Sequence, residues 1–156
     1  MKLLIAFLSL SFSLSAASVR YDIVATASTC SFGKRTGVEA RLEKLHKSTV
    51  IGHWVKPLDV PFWTVQVPRI GRYAVEVVYA AKPVSAGVRF TVTLQGYSMG
   101  MTKGVVQATQ DEKLETFRIG DIELEAGRHR LLVQPENKPG QPAMELERVQ
   151  LRWIGN

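Results

Sequence analysis

The stretch that decides the fold is residues 51–81, which read IGHWVKPLDVPFWTVQVPRIGRYAVEVVYAA. Apolar and polar side chains alternate over residues 62–67 and again over residues 73–79, and a Pro-Arg-Ile-Gly tetrapeptide separates the two segments. A period of two is typical of β-strands, and proline and glycine between strands indicate a turn. The stretch therefore predicts a strand, a short turn and a strand. Trp54 and Asp59 precede the first strand, and we expect part of any binding face there.

The rest of the chain continues this pattern. Strands are predicted at residues 21–26, 38–45, 62–67, 73–79, 88–94, 105–109, 114–119, 122–124, 128–134 and 144–153. The last of these changes phase between Leu146 and Val149, which predicts a bulge. Glycines and methionines over residues 96–104 suggest a long turn. About eight or nine of these segments count as short strands, because 21–26 and 105–109 have weaker patterns. Short strands with frequent turns indicate an antiparallel sandwich or barrel, and nothing suggests a second domain.

The N-terminus has the organisation of a secretory signal peptide. A positive start is followed by an apolar run broken only by serines, and then by the small residues Ser15-Ala16-Ala17. We expect residues 1–17 to be the signal peptide and the protein to be secreted or periplasmic. The apolar run is shorter than the roughly 20 residues of a membrane span. Residues 18–37 are predicted to form a strand and loop segment, and residues 38–156 a β-sandwich domain.

Charge and cysteine content narrow the range of functions. The formal net charge is +6, and loss of Lys2 with the signal peptide leaves +5. Because acidic residues are interleaved with the basic ones, no Lys/Arg run indicates nucleic-acid binding. The single cysteine, Cys30, rules out an intrachain disulfide and argues against a cysteine-based metal site. Whether Cys30 is a packed residue or a reactive thiol is left open.

The sequence carries no signature of catalysis. His46, His53 and His129 are far apart, and no metal-binding spacing, nucleophile elbow or phosphate-binding glycine loop occurs. His129 shares a strand face with Leu131 and Val133, which indicates a packed structural histidine. The sequence therefore predicts a protein that is not an enzyme.

Binding is the better-supported activity. A tryptophan on a loop, such as Trp54, can present a flat apolar face to a sugar ring. Burial of about 100 Å² of that face contributes about 2.5 kcal/mol, so that a few such contacts give millimolar to micromolar affinity. Asp59, Asn137 and Lys138 are candidates for hydrogen bonds to hydroxyls, and Tyr79 ends a strand row near a rim. The alternative for Trp54 is core packing beneath the loop.

An ordered series of residues resembles a known family. The series comprises Ile51-Gly52-His53-Trp54, Asp59, Trp63-x-Val65-x-Val67, Gly71-x-Tyr73-x-Val75, Tyr79-Ala80, Ser85-Ala86-Gly87, Gln107-Ala108-Thr109, Phe117, Ile122-x-Leu124-x-Ala126-Gly127-x-His129, Lys138-Pro139-Gly140 and Met144-x-Leu146-x-x-Val149-x-Leu151. It is similar to the β-sandwich domain appended to many secreted α-L-fucosidases and sulfatases. That domain is similar in turn to carbohydrate-binding modules of families 6 and 35. The resemblance covers residues 38–154.

The resemblance implies an all-β, two-sheet jelly roll of the galactose-binding-like type that binds glycan or polysaccharide without catalysis. In such modules the ligand lies among loops at one end, against aromatic side chains and a late asparagine; Trp54 and Asn137 match by position. A secreted glycosidase or sulfatase is the implied partner. The alternative is a scaffold that has lost sugar binding and acts through a protein partner.

The resemblance also raises the question of a structural calcium ion. The related modules use a Glu-x-Glu in the first strand and an acid in the last, which correspond here to Glu39-Ala40-Arg41 and Glu147. Because Ca²⁺ requires six to eight oxygen ligands, an arginine at the second position makes calcium doubtful. We therefore expect no cofactor, and an ion pair between Glu147 and Arg41 in place of the metal.

Overall fold

The computed structural model describes residues 21–33, 36–97 and 99–156, and this part of the chain contains eleven strands. They are β1 (Ile23–Thr26), β2 (Ser31–Phe32), β3 (Arg41–Leu45), β4 (Ser48–Gly52), β5 (Pro61–Val67), β6 (Gly71–Ala80), β7 (Arg89–Gln95), β8 (Met99–Val105), β9 (Glu115–Leu124), β10 (Gly127–Pro135) and β11 (Glu145–Gly155). Three single-turn 3-10 helices occupy the connections Ala27–Thr29, Pro83–Ser85 and Gln110–Glu112. None of the helices in the described residues has the length and apolar character needed to cross a membrane.

The strands form two antiparallel sheets packed face to face. Sheet A has the order β3-β4-β11-β6-β9, with β1 also paired to β11, and sheet B has the order β2-β5-β10-β7-β8. The predicted all-β, two-sheet sandwich is therefore confirmed. Residues 21–33 contribute one strand to each sheet. The predicted signal peptide at residues 1–17 lies outside the described residues.

Strand alternation puts one row of each sheet into a common core. In β6 the inward side chains are completely buried, and in β5 and β10 they are at most 8% exposed: Tyr73, Val75, Val77 and Tyr79; Trp63, Val65 and Val67; His129, Leu131 and Val133. Trp63 can be buried because its indole Nε1 donates to the Thr26 carbonyl at 2.7 Å. The strand-turn-strand prediction and the core assignment of His129 are confirmed.

The predicted long turn over residues 96–104 is wrong, because β8 lies there in register with β7. Its glycines are core residues. A Cβ atom on Gly104 would lie 2.4 Å from the Phe90 ring and 3.0 Å from Ile119. Glycine is therefore required for β8 to pack against both neighbours, although in the sequence it reads as a turn residue. The predicted strand over residues 105–109 is wrong beyond Val105.

The first strand of the predicted domain also differs. Residues 38–40 are not in a strand because the N–H groups of Glu39 and Ala40 donate to the Asp59 carboxylate at 2.8 and 3.0 Å. The sequence prediction missed β4, which forms a hairpin with β3. The two strands predicted around Gly120 are one continuous strand, β9. The bulge predicted near Leu146 is confirmed by a register shift between Leu146 and Arg148.

Candidate functional site

A pocket of about 260 Å³ opens at one end of the sandwich, where β4 and β6 end and β11 begins. Its walls include His53, Trp54, Ala81, Lys82, Met144 and Glu145. The wall combines apolar and polar groups, which is typical of small-molecule sites. We refer to it as the loop-end pocket.

Backbone hydrogen bonds hold the Trp54 wall of this pocket in place. His53 has a left-handed φ of +49°, which turns the chain out of β4. The Trp54 carbonyl then accepts from the N–H of Ala143 at 2.9 Å, and the Val55 carbonyl accepts from the N–H of Gly140 at 3.0 Å. The segment after β4 is thus joined to the loop before β11. These bonds fix Trp54 in position without using its side chain.

The Trp54 side chain is 1% exposed, so the expectation that it presents a flat face to solvent is wrong. Core packing beneath the loop, the alternative reading, describes its position. However, its indole Nε1 is buried without a hydrogen-bond partner among the described residues. Because an indole N–H can only donate, Trp54 carries one unused donor.

Glu145 supplies the complementary group. It is the first residue of β11, and its Oε2 atom is also buried without a partner in the described part of the chain. Burial raises the pKa of the Glu145 carboxyl above its ordinary value; the carboxylate of Glu112 adds to this shift, whereas the Lys82 ammonium opposes it. The protonated form, which can both donate and accept, therefore persists to higher pH than in an exposed glutamate.

Asn137 lies behind the Trp54 wall. Its Nδ2 donates to the Gln141 carbonyl at 2.5 Å and, more weakly, to the Trp54 carbonyl at 3.4 Å. Its Oδ1 atom is buried and has no partner in residues 21–33, 36–97 and 99–156. Asn137 and Trp54 therefore lie side by side, and their contact with a sugar stays a prediction. Lys138 is exposed, and its backbone N–H donates to the Gln141 side chain at 3.2 Å.

Two other predicted binding residues have structural contacts instead. Asp59 is 5% exposed, and its carboxylate accepts the two N–H groups described above, so it anchors the loop before β3. Tyr79 is completely buried, and its hydroxyl accepts from the N–H of Gln107 at 3.0 Å. Its ring stacks on Phe117 with centroids 4.5 Å apart. Tyr79 therefore does not reach a rim.

The carboxylates considered for calcium have other partners. The Glu39 carboxylate lies 2.6 Å from the Lys56 ammonium and 3.8 Å from the His53 imidazole. Glu147 accepts from the Ser48 hydroxyl at 3.1 Å and pairs with Arg148. In the described residues no group of three or more His, Cys, Asp or Glu side chains could hold a metal ion.

The proposed replacement for the metal is also absent. Arg41 pairs with Glu43 at 2.9 Å, so the predicted ion pair between Arg41 and Glu147 is wrong. The physical reason is proximity along the chain: each of the two residues has an oppositely charged neighbour within two positions, on its own strand.

The sequence prediction missed Glu145 as a pocket residue. Its position after a Pro/Gly-rich loop and at the start of a strand is a weak signal, because many glutamates occupy such positions on a β-sandwich. Only the three-dimensional arrangement brings the end of β6 to the start of β11, with Ala80 opposite Glu145. Because of that pairing, Glu145 forms part of the wall of the loop-end pocket.

A larger pocket of about 600 Å³ lies at the other end of the sandwich, with Ile70, Arg72, Met99 and Glu123 in its walls. None of its described wall residues has a buried polar atom that lacks a partner. Volume alone is a weaker indicator of a binding site than unused hydrogen-bonding groups, so the loop-end pocket is the better candidate.

The described architecture defines a galactose-binding-like β-sandwich, and solved structures have the same fold. No protein-family model and no curated protein sequence matches this chain. A family 35 carbohydrate-binding module from Clostridium thermocellum superposes with a TM-score of 0.64 at 16% identity, over 83% of this chain and 98% of the module. The predicted resemblance to carbohydrate-binding modules is thereby confirmed for the fold.

Two further structures support the same assignment. The family 6 module CBM6cm-2 of Cellvibrio mixtus lichenase 5A, in complex with cellotriose, gives a TM-score of 0.57 at 15% identity over 85% of this chain and 97% of the module. The Podospora anserina GH26-CBM35 β-(1,4)-mannanase gives 0.63 at 13% identity. The matched region covers 86% of this chain and 28% of the mannanase chain.

Proposed function

We propose that this protein is an exported, non-catalytic β-sandwich that binds glycan or polysaccharide weakly in the loop-end pocket. The observation that carries the proposal is that two residues of one pocket, Trp54 and Glu145, each have a buried polar atom without a partner in the described residues: the donor Nε1 and the acceptor Oε2. A buried polar atom without a partner costs about 1–3 kcal/mol. A ligand that supplies both partners removes that cost.

A sugar fits these requirements. Vicinal hydroxyl groups both donate and accept, so one ring can accept from the indole and donate to the carboxylate. The apolar C–H groups of the ring would pack against Ala81 and Met144, which lie in the same wall. A pocket of about 260 Å³ is small, so we expect affinity in the millimolar to micromolar range.

The fold supports the same ligand class. The structures that share it are named as carbohydrate-binding modules, and one of them was solved with cellotriose. A fold alone does not establish a function, so the pocket residues carry the proposal. Glycosidases use two carboxyl groups, one on each side of the bond that is cleaved. Glu43 also borders the pocket, but its carboxylate forms an ion pair with Arg41 at 2.9 Å. We therefore do not propose that Glu43 and Glu145 form such a catalytic pair.

Export and partner follow from the N-terminus and the resemblance. We propose that residues 1–17 direct the chain out of the cytoplasm, to the periplasm or the medium. There the module would hold a substrate polysaccharide near a secreted glycosidase or sulfatase. Amino-terminal sequencing of the protein recovered from the periplasm or medium tests export, with Ser18 expected as the first residue.

The direct test is a glycan array on the mature protein, followed by titration calorimetry with the best ligand. Trp54→Phe removes the Nε1 donor and keeps most of the ring, and Glu145→Gln removes the charge and keeps the shape. Loss of the indole hydrogen bond in Trp54→Phe, and of the charge on the acceptor in Glu145→Gln, should each weaken binding about fivefold. Trp153→Phe is the matched control, because its Nε1 is also buried without a partner in the described residues.

Unchanged affinity in Trp54→Phe and Glu145→Gln would remove the loop-end pocket from consideration. Equal losses in these variants and in Trp153→Phe would indicate an effect on folding and not on a ligand contact. Absence of any glycan ligand would reject the proposed function as a whole.

A second candidate is a scaffold that has kept the fold and acts through a protein partner. The observation that favours it is an exposed apolar row on β8, formed by Met99, Met101 and Val105, which are 53–70% exposed. This candidate predicts an empty glycan array and a partner that protects β8 from hydrogen exchange.

A further inference from the structure

The outward surface of sheet B carries one sign of charge. We define the sheet-B face as the outward side chains of β5, β10, β7 and β8. Its charged residues are all basic: Arg89, Lys103, Arg128 and Arg130. None of the outward positions described in these four strands holds an aspartate or glutamate.

These cations are weakly neutralised from elsewhere. Arg89 pairs with Glu136 at 3.1 Å, at the end of its strand. Arg130 lies with its guanidinium 3.7 Å from the centroid of the Phe62 ring. Within the described part of the chain neither Arg128 nor Lys103 forms an ion pair. A positive potential therefore extends over the face.

The outward surface of sheet A has a different pattern. Arg152 pairs with Glu76, and Arg118 pairs with Asp121 at 2.6 Å. Positive and negative side chains are thus combined on β6, β9 and β11. The positive sheet-B face is a property of that face and not of the whole basic protein.

The same face has an apolar margin. Met99, Met101 and Val105 point outward from β8, and Tyr97, in the turn before it, is 97% exposed. The β8 row lies two strand spacings from the β10 row, which is about 10 Å. A monomeric soluble protein rarely leaves several large apolar side chains exposed side by side, so such a patch indicates an interaction surface.

The combination favours one kind of occupant. An anionic polysaccharide would use the arginines but needs open aromatic faces for its rings, and the Phe62 ring is covered by Arg130. A membrane surface with anionic lipids uses both parts: the cations bind the headgroups, and exposed Tyr, Met and Val side chains enter the boundary with the acyl chains. Both parts lie on the same side of sheet B, so both can contact one surface.

We propose that the sheet-B face is a docking surface for a bilayer that contains anionic phospholipid. Contact is peripheral and reversible, with β10 providing charge and β8 providing apolar area. The loop-end pocket begins where β6 ends and β11 begins, whereas Tyr97 lies in the turn after β7, at the opposite end of the sandwich. Membrane contact therefore leaves the proposed glycan pocket open.

The test is sedimentation of the mature protein with large unilamellar vesicles of phosphatidylcholine alone or with 30 mol% phosphatidylglycerol. Arg128→Gln/Arg130→Gln removes two cations from the face, and Arg72→Gln/Arg152→Gln removes two from sheet A with the same change in net charge. We expect the first variant to bind on the order of 20-fold more weakly and the control to change less than about twofold. Met99→Ser/Met101→Ser should weaken binding about tenfold at constant charge.

Several outcomes would overturn the proposal. These are binding to neutral vesicles equal to that to anionic ones, equal loss in both arginine pairs, and no binding to either vesicle. Tighter binding to alginate or to single-stranded DNA than to vesicles, lost in the same Arg128/Arg130 variant, would assign the face to an acidic polymer instead. Thermal melts of each variant exclude misfolding. The Trp54→Phe variant should bind vesicles normally, so failure of the glycan proposal and failure of this one give different results.

Discussion

Each end of the sandwich has a tryptophan whose indole N–H is buried, and the surroundings of the two rings differ. Trp54 is held by backbone: its carbonyl accepts from Ala143, and the loop before β11 closes over it. Trp153 is held by side chains: the Arg69 guanidinium lies 4.5 Å from its ring centroid, and Tyr21 meets it edge-on at 5.6 Å.

Both indole N–H groups are buried without a partner in the described residues, yet only one suggests a ligand. Beside Trp54 there is open volume and a second unpaired group on Glu145. Trp153 is not among the described wall residues of the larger pocket at its end, and a Cβ atom on Gly71 would lie 2.5 Å from its Nε1. An unpaired donor therefore points to a binding site only where a partner has room to enter.

The largest expected difference between the ends comes from removal of the rings. Trp54→Ala should lower the free energy of unfolding by about 3–5 kcal/mol, because a fully buried side chain leaves a cavity. Trp153→Ala should cost less, since this residue is only half-buried. Urea unfolding followed by far-UV circular dichroism measures both. Equal losses would show that the two ends are equally well packed.

Glycine substitutions compare the packing of the two ends more finely. Gly71→Ala places a methyl group against Nε1 of Trp153 and against the Gly155 carbonyl, 2.6 Å away, at a φ of +146°. We expect a loss of about 1–3 kcal/mol from overpacking and strain. Gly140→Ala, at the Trp54 end, has a φ of +85° but no atom within 4 Å, so it isolates the backbone term. That loss should be about 1 kcal/mol; a larger loss for Gly140→Ala would contradict this comparison.

The side-chain bonds of Asn137 provide a test of the Trp54 end alone. Asn137→Ala removes the donors to the Gln141 and Trp54 carbonyls, and should destabilise the fold by about 1–3 kcal/mol. Lys138→Ala, at the adjacent exposed position, should change stability by less than about 0.5 kcal/mol. Thermal unfolding of the two variants measures both effects. If Asn137→Ala left the stability unchanged, backbone hydrogen bonds alone would hold this end of the sandwich.

The smallest effect is a pH dependence at the loop-end pocket. Because burial raises the pKa of Glu145, the folded state holds its proton to higher pH than the unfolded state. The native state then binds more protons, so this group's stabilising contribution is complete below the ordinary glutamate pKa and falls as pH rises through the raised one. Glu145→Gln should therefore gain Tm relative to wild type on going from pH 4 to pH 7. If the Tm values of the two proteins changed with pH in parallel, the raised pKa of Glu145 would be rejected.

The sequence predicted those parts of the fold in which side chains alternate without interruption. Residues 62–67, 73–79 and 128–134 became β5, β6 and β10 because each has one row for the core and one for solvent. The sequence could not predict β8, whose inward positions are occupied by Gly100 and Gly104 where bulky side chains would be expected. These positions must be glycines because side chains from other strands fill the space beside them, and those side chains are distant in sequence.

The same limitation applied to the site. Trp54 was identified from its loop position, but its burial depends on the loop over residues 136–143, which folds across it through bonds invisible in either segment alone. Glu145 became informative only when the ends of β6 and β11 were brought together. Local pattern therefore located the end of the molecule that carries the pocket, and tertiary pairing determined which atoms line it.

The pairing of β1 with β11 has a consequence for when this protein can fold. Ile23 lies opposite Leu151, so the first described strand cannot find its place in sheet A until nearly the whole chain has been synthesised. Strand pairs this distant in sequence form slowly, because a long loop must close before the contact is gained. If residues 1–17 direct export as we propose, this late pairing would leave β1 extended while the chain passes through a translocation channel.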